Sequence, residues 1–379
     1  MEPVDISRLM IRLVKSYLLG ERFTDTLSKE QSEAVFALAQ KHDVAHLVGL
    51  ALPNSSASEK QNCELFVQAQ YKAVFRYERM NYERQKIYQL FEEQEISFLP
   101  LKGAVLGSLY PEPWHRTSCD MDILVAEESL SEALMLLEER LQYKNQGKSE
   151  HDISLRSPNG IHIELHYDFH EKDISTQAVW DAVTQKKPGS FHCVMPPEMF
   201  FYCHIAHMAK HFKYGGCGFR PFVDIWMMNH HMTYDRKKLD AMLIKDGLKK
   251  FADIIFKLMD VWFGDAEMDS VLAMASDYIV NAGAYGSVEN RVAAGQIKKK
   301  SKFRYAMARI FLRYEALKYP YPILERHRWL MPFCQIHRWI KLLGAGKLKQ
   351  AANEIEINGR MDRDHQNEIR ELFDTLGVL

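Results

Sequence analysis

Cys119-Asp120-Met121-Asp122-Ile123-Leu124-Val125 is the stretch on which the fold of this chain turns. Acidic and apolar residues alternate and then give way to aliphatic ones, the pattern of a strand that runs into a core. Side chains alternate across a strand, so Asp120 and Asp122 share a face, about 6–7 Å apart along the chain. Two carboxylates that close repel one another unless a cation lies between them. Oxygen ligands of this kind suit a hard cation, Mg²⁺ or Mn²⁺. The plainer reading is a strand end whose acids face water.

The surroundings of this strand are those of an α+β block. Ile96–Leu101 is a short β-prone run, and Lys102-Gly103 leads into a helical stretch, Ala104–Tyr110, that Pro111 and Pro113 close. Ser129–Leu141 is an amphipathic helix. His151–Ser157 and Ile161–Tyr167 alternate on either side of Pro158-Asn159-Gly160, a strong hairpin signal. In the second of these strands Ile161, Ile163 and Leu165 form one face and His162, Glu164 and His166 the other. That polar face offers a third carboxylate beside the Asp pair. A lesser alternative is a His-x-Glu-x-His transition-metal site for a hydrolase, although the strand spacing lets only some of the three share one ion.

Helices are expected on both sides. Residues 1–90 read as a helical region with runs at 6–17, 34–50 and 63–94, and Pro53–Glu59 as a capped loop. The α+β block spans 91–192. Residues 193–379 return to helices, at 198–212, 220–231, 236–263, 266–281 and 303–318. His204, His207 and His211 fall on one face of the first of these. A zinc site there would lack the general base of a His-Glu-x-x-His helix, so a polar interface against the central block is the alternative.

Charge and composition bound the function. The chain has 379 residues, 47% of them hydrophobic, and 49 Lys+Arg balance 50 Asp+Glu. A largely disordered chain and a global polycation are both excluded. The balance hides a local asymmetry: residues 296–350 carry 14 Lys and Arg against Glu315 and Glu325, with Tyr, Phe and Trp interleaved. Such a segment suits RNA or an anionic surface, or else a helical layer with solvated charges. The six cysteines show no Cys-x-x-Cys spacing, and neither a signal peptide nor a transmembrane run is visible, so a soluble, cytoplasmic protein is expected.

Leu101-Lys102-Gly103, Arg116, Asp120-Met121-Asp122 and Ile163-Glu164-Leu165-His166, taken in order, resemble the nucleotidyltransferase (polymerase-beta-like) superfamily. Within it they resemble most an uncharacterised, mainly bacterial branch, a likeness that extends through His204–His211 and Arg220…Asp224. The resemblance implies a small mixed β-sheet core and transfer of a nucleoside monophosphate from an NTP, such as ATP, to an unidentified acceptor. It assigns Asp120, Asp122 and Glu164 to catalysis and to Mg²⁺ or Mn²⁺, and Lys102, Gly103 and Arg116 to the nucleotide. His151, His166, His207, Lys210 and His211 would edge the cleft. Arg116 would clamp a phosphate or neutralise the acidic pair. Most relatives carry Gly-Ser or Gly-Gly at the turn where this chain has Lys-Gly-Ala, so the phosphate-binding serine is absent unless Lys102 or Ser108 replaces it. An inactive, ligand-binding member of the fold is therefore the second reading.

Overall fold

The two alternating runs at 120–125 and 162–166 become neighbouring parallel strands at the centre of a five-stranded sheet. The computed structural model describes residues 5–52, 60–169, 174–284, 286–344 and 348–378. The expected loop at Pro53–Glu59 lies outside them. Helices α1 (Ile6–Leu19), α2 (Lys29–Lys41), α3 (Ala45–Ala51) and the long α4 (Lys60–Glu93) come first. The sheet region follows with β1 (Phe98–Pro100), α5 (Gly103–Leu106), β2 (Asp120–Val125), α6 (Leu130–Glu139), β3 (Lys144–Lys148), β4 (Asp152–Arg156) and β5 (His162–His166). The strand order is β1-β2-β5-β4-β3, antiparallel except at the β2–β5 pair. The fold is thus α+β, with a small mixed sheet and a majority of helix.

Alternation decides which face of the sheet is buried. Met121, Ile123 and Val125 of β2 and Ile163 and Leu165 of β5 pack on Ile87 and Phe91 of α4 and on Ala133 and Leu137 of α6. Asp120, Asp122, Glu164 and His166 consequently point to the opposite face. The hairpin forms as its Asn-Gly turn signals. β3 is an edge strand of exposed residues, Lys-Asn-Gln-Gly-Lys, with no alternation to announce it.

Beyond the sheet come α7 (Thr176–Ala182), the two-residue strands β6 (Thr184–Gln185) and β7 (Cys193–Val194), then α8 (Pro197–Lys213) and α9 (Arg220–His231). The single helix expected over 236–263 is two, α10 (Arg236–Lys245) and α11 (Lys249–Trp262), because Gly247 takes a left-handed φ of +68° that ends the first. The run at 34–50 likewise divides at Asp43, φ +58°. α12 (Ser270–Ala282), α13 (Val288–Lys299) and α14 (Lys302–Ile310) continue the layer, and the stretch expected as one helix over 303–318 is interrupted before the short α15 (Tyr314–Leu317). The chain closes with α16 (Ile323–Arg326), α17 (Met331–Gly344), α18 (Leu348–Arg360) and α19 (Arg363–Leu376). α1–α3 share one hydrophobic core with α8–α13 and α19: Met10, Leu13, Val35 and Val48 lie in the same cluster as Phe212, Phe222, Phe251 and Phe373. No helix of the described residues is long and apolar enough to cross a membrane.

His42 sits inside this shared core with both ring nitrogens engaged. Nε2 lies 2.8 Å from the Val280 carbonyl oxygen, and the Phe219 N–H donates to Nδ1 at 3.1 Å. Only the neutral ring makes both bonds, and burial depresses its pKa to about 4. Burial holds His115 and His204 at about 4 as well. An unfolded histidine titrates near 6.5, so these groups stabilise the fold fully above that pH and lose the contribution as the pH falls toward 4. The urea midpoint should therefore drop steadily between pH 6.5 and 4. A midpoint that stays level across that range would contradict the neutral buried histidines.

Candidate active site

Register builds the site. In the parallel pair Asp120 stands opposite His162 and Asp122 opposite Glu164, so three carboxylates from two strands meet on the face away from α4 and α6. Asp120, His162 and Glu164 each offer a ligand atom within 4.8 Å of the others', and so do Asp122, Glu164 and His166. Glu164 belongs to both clusters and links the two aspartates. The donors are mainly carboxylate oxygens, a set that fits a hard divalent cation, with one imidazole per cluster that also tolerates Mn²⁺. His162 and His166 fall in different clusters, so the expected His162/Glu164/His166 site for a single transition metal is divided. His162 Nε2 instead lies 2.7 Å from the Ser154 hydroxyl.

Asp122 is buried and carries two cationic partners. Lys102 Nζ donates to its Oδ1 at 2.8 Å, and His166 Nε2 lies 3.1 Å from the same oxygen. Burial alone would push the Asp122 carboxyl up, but Lys102 and His166 outweigh it and hold it well below the usual carboxylate range. Burial opposes the imidazolium of His166, yet its bonds to Asp122 and Glu164 prevail and raise it to about 9. Lys102 reaches this position from a backbone with φ +43° and ψ −113°, a region that glycine favours. Holding a lysine there costs about 1–3 kcal/mol, so the surroundings over-determine the placement of its ammonium beside the acids.

Arg116 differs from the expected phosphate clamp. Its side chain is 6% exposed, and its Nε and Nη2 donate to Asp224 Oδ1 and Oδ2 at 3.2 and 3.0 Å. Tyr110 adds a hydroxyl to Asp224 Oδ1 at 2.8 Å. The guanidinium fork is thus taken up by a fully buried carboxylate on α9, and it neutralises that acid instead of the β2 pair. Gly103 differs too. A Cβ there would stand 2.6 Å from Arg116 Nη1 and 3.1 Å from Ser118 Oγ, so the missing side chain makes room for the arginine.

Ser118, which the sequence reading passed over, brings a hydroxyl to this turn and donates to the Asp120 carbonyl at 3.0 Å and to Oδ1 at 3.2 Å. Ser108, named as a substitute for the turn serine, instead donates to the Val105 carbonyl. Asp43 was also missed. It accepts from Thr117 at 2.7 Å and from Arg220 at 2.8 Å, with Arg76 at 3.3 Å, tying α4, the loop before β2 and α9 to the N-terminal helices. A lone aspartate after a helix gives no motif to find it by, although aspartate does tolerate the left-handed backbone seen here.

Two cavities meet at the acids. The larger, about 400 Å³, is lined by Lys102, Asp120, Asp122 and Glu164 of the sheet region. His207, Lys210 and His211 of α8 line it too, with Arg220 of α9, His151 and His166. The smaller, about 180 Å³, lies between α4 and the turn and is lined by Tyr77, Asn81 and Arg84 together with Gly103 and Ser108. Arg116, Ser118 and Asp120 border both. His204 is buried, with Nε2 3.3 Å from the Pro221 carbonyl oxygen. Among the described residues no metal-ligand cluster includes any of the α8 histidines.

A family model described as an uncharacterised nucleotidyltransferase matches residues 28–264. No curated protein matches the chain. Among solved structures, the antibiotic-resistance factor ANT(2'')-Ia is similar at a TM-score of 0.34 and 10% identity, over 42% of this chain and 87% of that one.

Two outcomes follow from the site's electrostatics. Asp224→Asn leaves the Arg116 charge buried without its partner and should cost roughly 3–5 kcal/mol of unfolding free energy, measured in urea. A cost below about 1 kcal/mol would show the pair to be dispensable. In the metal-free protein, an NMR titration should find the His166 ring protonated up to about pH 9, and Asp122→Asn should bring its midpoint down toward the usual histidine value.

Proposed function

The chain belongs to the uncharacterised nucleotidyltransferase family, and on that premise we propose that it is a metal-dependent enzyme moving a nucleoside monophosphate from an NTP to an acceptor. The acceptor supplies a hydroxyl or phosphate oxygen. The observation that carries this reading is the shared position of Glu164, within reach of both Asp120 and Asp122 across the β2–β5 pair.

Asp120, Asp122 and Glu164 are the residues that would hold Mg²⁺ or Mn²⁺. The bound cation supplies charge neutralisation at the phosphates and lowers the pKa of the acceptor hydroxyl. Lys102 and Lys210 supply positive charge to the larger cavity, and His207 and His211 line it with further ring nitrogens, which suits a triphosphate. The smaller cavity then takes the acceptor. Asp120, which borders both cavities, is positioned to receive the acceptor's proton. The acceptor oxygen bonds to the α-phosphorus as the bond to the β-phosphate oxygen breaks, and pyrophosphate leaves with the electron pair. Ser118 is assigned the hydroxyl that relatives carry at the turn, since it lies beside Gly103 and Asp120. Arg116 is a positioning residue, held by Asp224, that sets the loop from which Ser118 and Asp120 project.

One observation favours the second reading, a ligand-binding protein that has lost catalysis. Asp122 already has Lys102 and His166 as counter-charges, so it is neutralised without an ion. Pyrophosphate release separates the two. The protein incubated with each NTP and Mg²⁺ or Mn²⁺ should release pyrophosphate, and Asp120→Asn with Asp122→Asn should reduce the rate by roughly 10²-fold or more. Release that persists undiminished in that double variant removes the assigned mechanism. No release with any NTP, in a protein that still binds one, supports the inactive reading.

A further inference from the structure

α17 shows solvent an apolar stripe that none of the described residues covers. Trp329, just before it, and Phe333, Ile336, Ile340 and Leu343 recur at alternating steps of four and three, and are 69, 63, 50, 59 and 56% exposed. At 3.6 residues per turn, the four on the helix fall within an arc of about 80°. Residues off the stripe anchor the helix. Gln335 donates to the Leu312 carbonyl at 2.6 Å, Arg338 to the Ile310 carbonyl at 3.0 Å, and Trp339 Nε1 to the same oxygen at 3.0 Å. Cys334 is buried with Leu317 and Leu324 in a small core of its own. The helix is therefore anchored along one side, and its apolar residues lie outside by construction. Phe311, 46% exposed, packs edge-on against Trp339.

Charge selects what this face meets. Residues 296–350 carry a surplus of twelve positive charges, and Arg326, Arg328 and Lys341, all exposed, lie on the segment that carries the stripe. A second copy would bring like charges together, so the complementary partner is anionic. A nucleic acid would use the aromatic rings for stacking and the cations for phosphates, and would leave Ile336, Ile340 and Leu343 without a role. An anionic bilayer uses all of them: aliphatic and phenyl groups enter the acyl boundary, tryptophan sits at the headgroups, and the cations meet lipid phosphates. We propose that the Trp329–Leu343 face docks the protein peripherally onto an anionic lipid bilayer, lying in the interface and not crossing it.

Flotation with vesicles tests this on the full chain. Binding to phosphatidylcholine vesicles containing one third phosphatidylglycerol should exceed binding to phosphatidylcholine alone at least about tenfold and weaken with salt. Phe333→Ser with Ile340→Ser, and separately Arg326→Glu with Arg328→Glu, should each reduce it roughly tenfold. All four positions are exposed, so thermal unfolding of the serine pair should stay close to that of the parent, and that of the glutamate pair should fall only by the loss of the Arg328 contact with the Tyr314 ring, 4.3 Å away. Brominated phosphatidylglycerol should quench tryptophan emission in the parent, and less in Trp329→Phe. Absence of binding to anionic vesicles overturns the proposal. So does retention of an RNA oligomer in preference to vesicles with no effect of the serine substitutions, or a dimer in sedimentation that those substitutions abolish.

Discussion

The site depends first on the register of β2 against β5. Met121, Ile123, Ile163 and Leu165 must all enter the core under α4 and α6, and a slip of one residue would turn the slipping strand's pair out of that core and its acids into it. The hydrophobic demand on one face thereby sets Asp122 opposite Glu164 on the other. Carboxylates that repel are held together by burial of their neighbours, and the cost of that repulsion is what makes the place suited to a cation. Where no ion is needed to hold Asp122, Lys102 and His166 serve instead, one from a strained backbone and the other from the same strand as Glu164.

The second constraint is the Arg116–Asp224 pair. Breaking a buried ion pair by removing one partner is far more costly than its net contribution, so the pair acts as a positional lock more than as a source of stability. It joins the loop that delivers Ser118 and Asp120 to α9, whose apolar residues lie in the core shared with α1–α3. Asp43 performs a similar junction from the other side, with Thr117 and Arg220. The loop that carries Ser118 and leads into Asp120 is thus held between helices that are far apart in the chain, and the α8 residues that line the larger cavity with the acids belong to the same body. The larger cavity exists because the sheet and this helical body meet at their polar surfaces.

Much of this was legible locally. The alternation at 120–125, the Asn-Gly hairpin and the polar face of His162, Glu164 and His166 follow from a period of two that no other element explains. The helices at 197–213 and 220–231 agree with their expected spans closely. The missed strand and helix ends have local causes. β3 carries only exposed polar residues, so its pairing with β4 and not its side chains makes it a strand. The runs at 34–50 and 236–263 keep an apolar period through Asp43 and Gly247, where the backbone turns left-handed and the helix stops. Arg116 offered two roles in the sequence, and neither included Asp224, 108 residues away.

By itself the sequence determined the strands, the acids on one of their faces and the order of the motifs, because those follow from side-chain periods and short-range turn chemistry. Only the tertiary structure decided that Glu164 serves both aspartates, that Ser118 rather than Ser108 stands at the glycine turn, and that Arg116 is committed to a buried carboxylate. It also decided which face of α17 remains outside. Each of these is a contact between segments distant in the chain, and such contacts are set by how whole elements pack, which no local period encodes.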